Sequence, residues 1–264
     1  MSQEDMEQQA YNYWKSFIDE ITYNNRFFPN HPIIKLIDNY AEQHPVFLKA
    51  GTILYRARII DYNSEDAQFS GFSKFIHGQD FGEFEGFDEQ HSYVPPAKTV
   101  PAGRINPEKI VYLYAAQEII TAIAETRPRV FDHISVAKIE LLRDVQLVDF
   151  RYEDDSKKSD FSTKIVKNFT TAFSHPCRES IEYIPTQFIS ECIKTLNYDG
   201  VLFRSSFNLR GINITLFQPG IAKAIASTVY RMDNIFYRAR RIFPINSLES
   251  FEIIATNAIQ HDLE

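Results

Sequence analysis

Three side chains of different chemical types follow one another in the middle of the sequence. Arg104 lies in a turn marked by glycine and proline, Tyr114 near the end of a strand-like run, and Glu125 near the end of the next helical segment. If turn, strand and helix pack around one cleft, these side chains offer an anion-binding fork, a flat ring and a carboxylate. Each also has an ordinary explanation: a surface arginine, a core aromatic residue and a solvated helix carboxylate.

Other catalytic signatures are absent or weak. The common nucleotide-binding, hydrolase and zinc-protease patterns do not occur, and the seven histidines never pair at ligand spacing, so no metal site is expected. Glu83 and Glu85 form a pair that suits either catalytic carboxylates or a solvated loop. Arg26 and His31 have a spacing that certain helical ribonucleases use, but prolines flank His31 and oppose the single helix face that such an enzyme needs.

The stretch around Arg104 resembles the RES domain family, which is named for an arginine, a glutamate and a serine. The family pattern has an early Tyr/Trp-Arg strand, matched by Leu54-Tyr55-Arg56, and then Gly-Arg-x-Asn, matched by Gly103-Arg104-Ile105-Asn106. A tyrosine ten residues after the arginine matches Tyr114, and a glutamate eleven residues further on matches Glu125. This central block is the specific part of the resemblance.

The later family motifs are matched more loosely. A strand that ends in serine is matched by Ser205 and has a fitting lead-in at Asp199-Gly200-Val201, and a Gly-x-Asn motif is matched by Gly211-Ile212-Asn213. The resemblance runs from about residue 52 to residue 237. One departure is Ile105, where many family members carry an aromatic residue, which bears on pocket packing but leaves the arginine, tyrosine and glutamate in place.

The resemblance implies a fold, an activity and partners. RES enzymes are known as toxins of bacterial RES–Xre toxin–antitoxin pairs that destroy NAD, so it implies NAD as the substrate and an antitoxin protein as a partner. It also implies an ADP-ribosyltransferase-like fold, in which a mixed β core clasps NAD in a cleft. NAD would be a substrate rather than a cofactor, and phosphate could be a co-substrate.

The implied chemistry assigns roles to the matched residues. Cleavage of the nicotinamide–ribose bond passes through an oxocarbenium-like state, and one carboxylate is sufficient because the leaving nicotinamide is already cationic. Arginine suits the pyrophosphate because its fork is bidentate and always charged. The expected catalytic residues are Arg104, Tyr114, Glu125 and Ser205, and the expected NAD-binding residues are Arg56, Arg104, Tyr114 and Asn213.

Several alternatives remain open from the sequence. Arg58 and Ser206 lie so close to Arg56 and Ser205 that either arginine and either serine could be the site residue. The nucleophile could be water or phosphate, which makes the reaction a hydrolysis or a phosphorolysis. The leading alternatives are an ADP-ribosyltransferase that modifies a macromolecule and a non-catalytic module that binds NAD or ADP-ribose.

Composition excludes several classes of protein. The net charge of the 264 residues is −7, and the only dense basic cluster is Arg238, Arg240 and Arg241, so direct nucleic-acid binding is not expected. The longest apolar run, residues 110–116, is far too short to span a membrane. The acidic N-terminus differs from a signal peptide, and two cysteines, Cys177 and Cys192, fit reduced thiols of a cytoplasmic protein.

Periodicity predicts an α+β fold in two regions. Residues 1–50 form an N-terminal helical region whose apolar face, which includes Trp14 and Phe17, packs either on the chain itself or on a second copy or an antitoxin. Residues 51–264 form the RES-like catalytic domain, a mixed β core with flanking helices. Within it, residues 61–103 show no regular pattern, which indicates either a ligand-serving loop or a poorly ordered insertion.

Overall fold

The structure is a computed structural model that describes residues 3–78, 80, 82–151, 160–177, 179–236, 239–240 and 252–253. Most of the C-terminal end of the predicted catalytic domain lies outside these residues. The same holds for two members of the basic cluster, Arg238 and Arg241. All statements below concern the described residues.

The helices flank one central sheet. The first two and the last two of the described α-helices are long, and the three between them are shorter. They are α1 (Gln3–Asp19), α2 (Ile33–Gln43), α3 (Gly71–Ile76), α4 (Glu89–Ser92), α5 (Ile119–Glu125), α6 (Phe161–Ser174) and α7 (Ile184–Thr195). A π-helical turn, Glu20–Asn24, extends α1. None of these helices is both long and apolar enough to cross a membrane.

Eight strands form one mixed sheet, and two further short strands pair apart from it. In chain order the strands are β1 (Pro45–Leu48), β2 (Ile53–Ile59), β3 (Leu113–Ala116), β4 (His133–Leu141), β5 (Val145–Asp149), β6 (Gly200–Arg204), β7 (Ile212–Leu216), β8 (Ala222–Arg231), β9 (Ala239–Arg240) and β10 (Glu252–Ile253). The order across the large sheet is β1-β5-β6-β7-β3-β2-β4-β8, and only the β5–β6 pair is parallel. The predicted α+β class, with a mixed β core and flanking helices, is confirmed.

The sheet is nearly split between β3 and β2. Along its other edge β2 pairs with β4 from Ile53 to Ile59, whereas it meets β3 at one matched pair, Tyr55 and Ala116. Strands that diverge from a single pairing point leave a gap, and backbone groups and side chains of both strands line that gap. The split provides the place for a cleft inside an otherwise continuous sheet.

The N-terminal helices bury their apolar face on the same chain. Trp14 is 7% exposed and Phe17 is fully buried, because α1 packs on α6 and the Phe17 ring meets the Phe188 ring of α7 edge-on at 5.5 Å. An ion pair of 2.8 Å between Glu7 and Lys164 holds the outer edge of the same contact. Of the two expected roles for this face, the structure therefore shows packing within the chain.

Residues 1–50 also contribute to the sheet. Strand β1 pairs with β5 and forms one sheet edge, and Tyr40 of α2 donates a hydrogen bond of 2.6 Å to the Asp149 carbonyl oxygen at the end of β5. The hydroxyl of Tyr198 in turn donates to the Ala41 carbonyl oxygen at 2.8 Å. The predicted boundary at residue 50 stays a prediction, and the two parts that it separates share one hydrophobic core.

Segment 61–103, which shows no regular pattern in the sequence, contains α3 and α4, and its described residues pack on the far end of the sheet. The ring of Phe87 is buried, and its backbone is held by the hydroxyls of Ser135 on β4 and Ser227 on β8. Phe84 also forms a β-bridge with Ser227. The segment is thus an ordered cover for β4 and β8, and most of it lies away from the site described below.

We predict that the α1 contact is needed for stability. Replacing Trp14 by alanine should lower the free energy of unfolding by about 3–5 kcal/mol, because a large buried ring is lost and leaves a cavity. Tyr11 is a matched control on the same helix, since it is 54% exposed and its replacement by alanine should cost under about 0.5 kcal/mol. Urea denaturation of both variants tests this, and equal losses would show that the α1 face does not stabilise the chain.

Candidate active site

The centre of the site is one carboxylate oxygen, which links three separate segments of the chain. Glu125 is the last residue of α5, and its Oε1 accepts a hydrogen bond of 2.6 Å from the hydroxyl of Ser205. The same oxygen accepts a second bond of 2.6 Å from the side-chain amide of Asn213 on β7. No described residue donates to Oε2, so that oxygen can face a ligand.

Ser205 follows β6 and positions the glutamate. Its Oγ accepts hydrogen bonds from the backbone amides of Phe207 at 3.1 Å and Asn208 at 3.0 Å while it donates to Glu125. The serine is 6% exposed and all of its bonding directions in this arrangement point to protein atoms. A hydroxyl held in this way orients the carboxylate and is poorly placed to act as a nucleophile.

Arg104 joins two other segments. Its guanidinium donates through Nη1 to the Phe173 carbonyl oxygen at the end of α6 and through Nη2 to the Ser206 hydroxyl at 3.1 Å. Thr186 at the start of α7 donates a hydrogen bond to the Arg104 carbonyl oxygen, and Gln187 donates to that of Gly103 at 2.7 Å. The arginine turn is therefore anchored from both sides.

Tyr114 and Asn106 explain the Gly-Arg-x-Asn motif. The Tyr114 hydroxyl accepts from the backbone amides of Ile105 and Asn106 and donates to Asn106 Oδ1 at 2.7 Å. Burial raises the pKa of Tyr114 well above its usual value, so the proton stays on the hydroxyl. A Cβ atom at Gly103 would lie 2.4 Å from Asn106 Oδ1 and 2.9 Å from the tyrosine oxygen, which is why glycine is required there.

The structure separates the two candidate arginines of β2. Arg58 donates to Asp66 at 2.7 Å and to the His91 carbonyl oxygen, and it lies over the Phe87 ring, so it anchors the segment 61–103. Arg56 lines the cavity of the site, and its Nη1 is buried without a hydrogen-bond partner among the described residues. Burial and the nearby charge of Arg58 lower the pKa of Arg56 to about 10, which leaves it protonated at neutral pH.

These residues surround a cavity of about 270 Å³ that opens where the sheet splits. Strands β2 and β3 form its floor, and the end of α5 forms one wall. Of the residues predicted from the sequence, those that line it are Arg56, Arg104, Tyr114, Glu125 and Asn213, whereas Ser205 lies behind the carboxylate. The structure therefore brings the predicted residues together, and their catalytic and binding roles stay predictions.

Sequence reasoning missed part of the lining. Arg127, Tyr183, Phe203 and Phe207 also line the cavity, and they come from four separate places in the chain. The only local signal was position, because Arg127 and Phe207 each lie two residues after a predicted site residue. With Arg127 the cavity has three arginines and a single carboxylate among its lining residues, so it is electropositive in a chain of net charge −7. Such a cavity favours an anionic ligand.

Comparison with known proteins gives the family. A sequence model of the RES domain matches residues 53–236, which span the sheet from β2 to β8 and every residue of the site. The chain belongs to the RES domain family. Among curated proteins none matches this RES chain in sequence. Among solved structures, a chain of the M. tuberculosis MbcT–MbcA toxin–antitoxin complex aligns with a TM-score of 0.39 and 13% identity, covering 75% of the RES chain and 92% of its own length.

Glu125 is the one carboxylate among the described residues that line the cavity. Within the described part of the chain no three His, Cys, Asp or Glu residues form a group that could hold a metal ion. Cys177 lies near Arg104, and burial raises the pKa of its thiol, which disfavours the nucleophilic thiolate. Glu125 is thus the group in the cavity that is able to stabilise a developing positive charge.

We predict that the Tyr114 hydroxyl maintains the arginine turn. Tyr114→Phe should lower the free energy of unfolding by about 1–3 kcal/mol, because two buried amides and the Asn106 side chain lose their partner. Tyr55 is a suitable control, since it lines the same cavity and its hydroxyl has no hydrogen bond with any described residue. Tyr55→Phe should change stability by under about 0.5 kcal/mol in the same urea titration. Equal effects would show that the turn does not depend on this hydroxyl.

Proposed function

We propose that this RES protein cleaves the nicotinamide–ribose bond of NAD, by hydrolysis or by phosphorolysis. The observation that carries the proposal is the Glu125 carboxylate, held by Ser205 and Asn213 at the wall of an electropositive cavity. The family resemblance supplies the substrate. The charge of the cavity and the geometry of the carboxylate support NAD as the substrate. NAD combines an anionic diphosphate with a bond whose cleavage builds positive charge on a ribose.

Glu125 acts in this proposal by electrostatic stabilisation. As the bond between C1′ and the nicotinamide nitrogen breaks, both bonding electrons pass to the nitrogen and neutralise its positive charge. The ribose then carries an oxocarbenium-like charge that a fixed carboxylate stabilises without reorganisation. Because Oε1 is already engaged by Ser205 and Asn213, Oε2 is the atom that can approach the ribose. An oxygen of water or phosphate then bonds to C1′, and a water nucleophile releases its proton to solvent.

Arg56 is the residue that we assign to the diphosphate. Arg56 lines the cavity, and no carboxylate among the described residues forms an ion pair with it, so an anionic ligand would be the partner of its charge. Arg104 has fewer donors left for a ligand, because two of its nitrogens already donate hydrogen bonds to Phe173 and Ser206. We therefore assign Arg104 mainly to shaping the site and Arg56 to binding the anion.

The family resemblance also supports a biological role. We propose that the protein is the toxin of a bacterial toxin–antitoxin system, in which loss of NAD stops growth and an antitoxin protein blocks the activity. A cytoplasmic location follows from this role, since the NAD pool is there. A homodimer remains a proposal as well.

One experiment separates this function from the alternatives. Purified protein is incubated with NAD, with and without phosphate, and free nicotinamide is measured. Release without any acceptor protein supports the proposed enzyme, and a dependence on phosphate identifies phosphorolysis. Release only when an acceptor macromolecule is present indicates an ADP-ribosyltransferase. Binding of NAD without release indicates a non-catalytic binding module.

We predict that Glu125→Gln lowers the rate of nicotinamide release by about 10²–10³, because the amide keeps the shape of the side chain but loses its charge. Glu118 lies exposed at the other end of α5, and Glu118→Gln should release nicotinamide at the wild-type rate. In bacterial cells the Glu118 variant should lower NAD and stop growth, whereas the Glu125 variant should be tolerated. Normal turnover by a folded Glu125→Gln protein would remove this residue from the mechanism.

We also predict that the two arginines of β2 differ in ligand binding. Arg56→Lys should weaken binding of ADP-ribose, measured by calorimetry, by about tenfold or more, since an ammonium group does not reproduce the donor geometry of the fork. Arg58→Lys should leave that affinity within about twofold, because Arg58 contacts Asp66 and His91 outside the cavity. The reverse result would assign the anion site to Arg58.

A further inference from the structure

The outer rim of the cavity is formed by an arginine that lies on an aromatic ring. The guanidinium carbon of Arg127 lies 4.6 Å from the centre of the Phe207 ring, a distance typical of a cation–π contact. Both residues line the cavity, and both are more exposed than the carboxylate site, because Phe207 is 39% exposed whereas Ser205 and Asn213 are 6% and 8% exposed. The pair therefore lies on the solvent side of Glu125.

The rim and the carboxylate are built by the same two segments. The hydrogen bond between Glu125 and Ser205 joins the end of α5 to the loop after β6, and the stack of Arg127 on Phe207 joins the same segments two residues further along each. The Ser205 hydroxyl also accepts from the Phe207 amide. The position of the rim relative to Glu125 is therefore fixed by covalent geometry and by two side-chain contacts.

The backbone at Arg127 lies in the left-handed region. Arg127 follows the C-cap residue of α5, has φ +50°, and its amide donates to the Ala124 carbonyl oxygen at 3.1 Å. Glycine is the usual residue at this position after a helix, because a left-handed backbone is strained for any residue with a Cβ atom. An arginine at this position is therefore strained, and a glycine in its place would relieve the strain.

The charge of Arg127 is available to a ligand. No carboxylate among the described residues forms an ion pair with it, and the contact that holds its guanidinium is the Phe207 ring. Arginine forks bind phosphate oxygens in a bidentate manner, and a guanidinium that is already held on a ring loses less freedom when it does so. An exposed phenylalanine next to it offers apolar surface to a nucleoside.

Cavity size indicates which part of a ligand would reach the rim. The cavity holds about 270 Å³, just below the range of about 300–1,000 Å³ that is common for small-molecule pockets. Because the cavity is small and open on one side, a dinucleotide with one ribose at Glu125 would place its second nucleotide towards the mouth. Resting on the proposed function, we propose that Arg127 and Phe207 form a subsite for the adenylate half of NAD, with Arg127 on its phosphate and Phe207 beside its adenosine.

The test compares two substrates that differ by the adenylate half. Nicotinamide release from NAD and from nicotinamide mononucleotide is measured for the wild type, for Arg127→Gly and for the control Arg129→Gly, which alters an exposed arginine outside the cavity. Arg127→Gly should raise the KM for NAD relative to that for the mononucleotide by about tenfold, as expected for one charge-assisted hydrogen bond. The control should keep the wild-type ratio.

The glycine variant also separates binding from folding. Its midpoint of thermal unfolding should be equal to or above that of the wild type, because glycine removes the left-handed strain at this position. An unchanged ratio of the two KM values, or an equal increase for both substrates, would overturn the subsite.

Failure of the proposed function can be distinguished from failure of the subsite. If the wild type releases nicotinamide from neither substrate, the proposed activity is wrong, and calorimetry with AMP then decides the subsite. AMP binding that Arg127→Gly weakens about tenfold supports it. AMP binding that is equal in both proteins, or absent from the wild type, overturns it.

Discussion

The site depends on one carboxylate oxygen that accepts two hydrogen bonds. Glu125 Oε1 ties together the end of α5, the loop after β6 and strand β7, which are far apart in the sequence. With Oε1 held by two donors, the side chain is fixed in orientation, and Oε2 has no donor among the described residues. A carboxylate fixed in this way stabilises a developing charge without paying for its own reorganisation during the reaction. In the proposed reaction, the serine of the family motif acts as a positioning residue for the glutamate.

The cavity exists because the sheet does not close at β2 and β3. A single matched pair, Tyr55 and Ala116, holds these strands in one sheet, and the space beside it admits a ligand between them. Tyr114 of β3 uses its hydroxyl to bind the turn that carries Arg104, while α7 binds that turn from outside through Gln187.

Much of this arrangement follows from the sequence, and the remainder depends on long-range contacts. Regular periodicity marks α1, α6, α7 and most strands, but β1 is short and starts at a proline, and the first half of β8 is rich in alanine, so neither shows a clear strand pattern. Family motifs identify Arg56, Arg104, Tyr114, Glu125 and Asn213 in the cavity lining, and they miss the residues that come from other segments. The alternation of side chains along β2 could not show which of Arg56 and Arg58 faces the cavity, because both lie on one face of the strand. They differ in the partners that segment 61–103 provides for Arg58.

The core that α1 shares with α6 and α7 has a consequence for synthesis. Glu7 and Lys164 are in contact although they lie 157 positions apart in the sequence, and the apolar face of α1 has its partners on α6 and α7. A nascent chain therefore carries an uncovered amphipathic helix until α6 and α7 have left the ribosome. Since α6 also supplies the carbonyl group that binds Arg104, and Asn213 comes later still, the site cannot be assembled on a partly made chain. The carboxylate site is therefore complete only after α6, α7 and β7 have all been made.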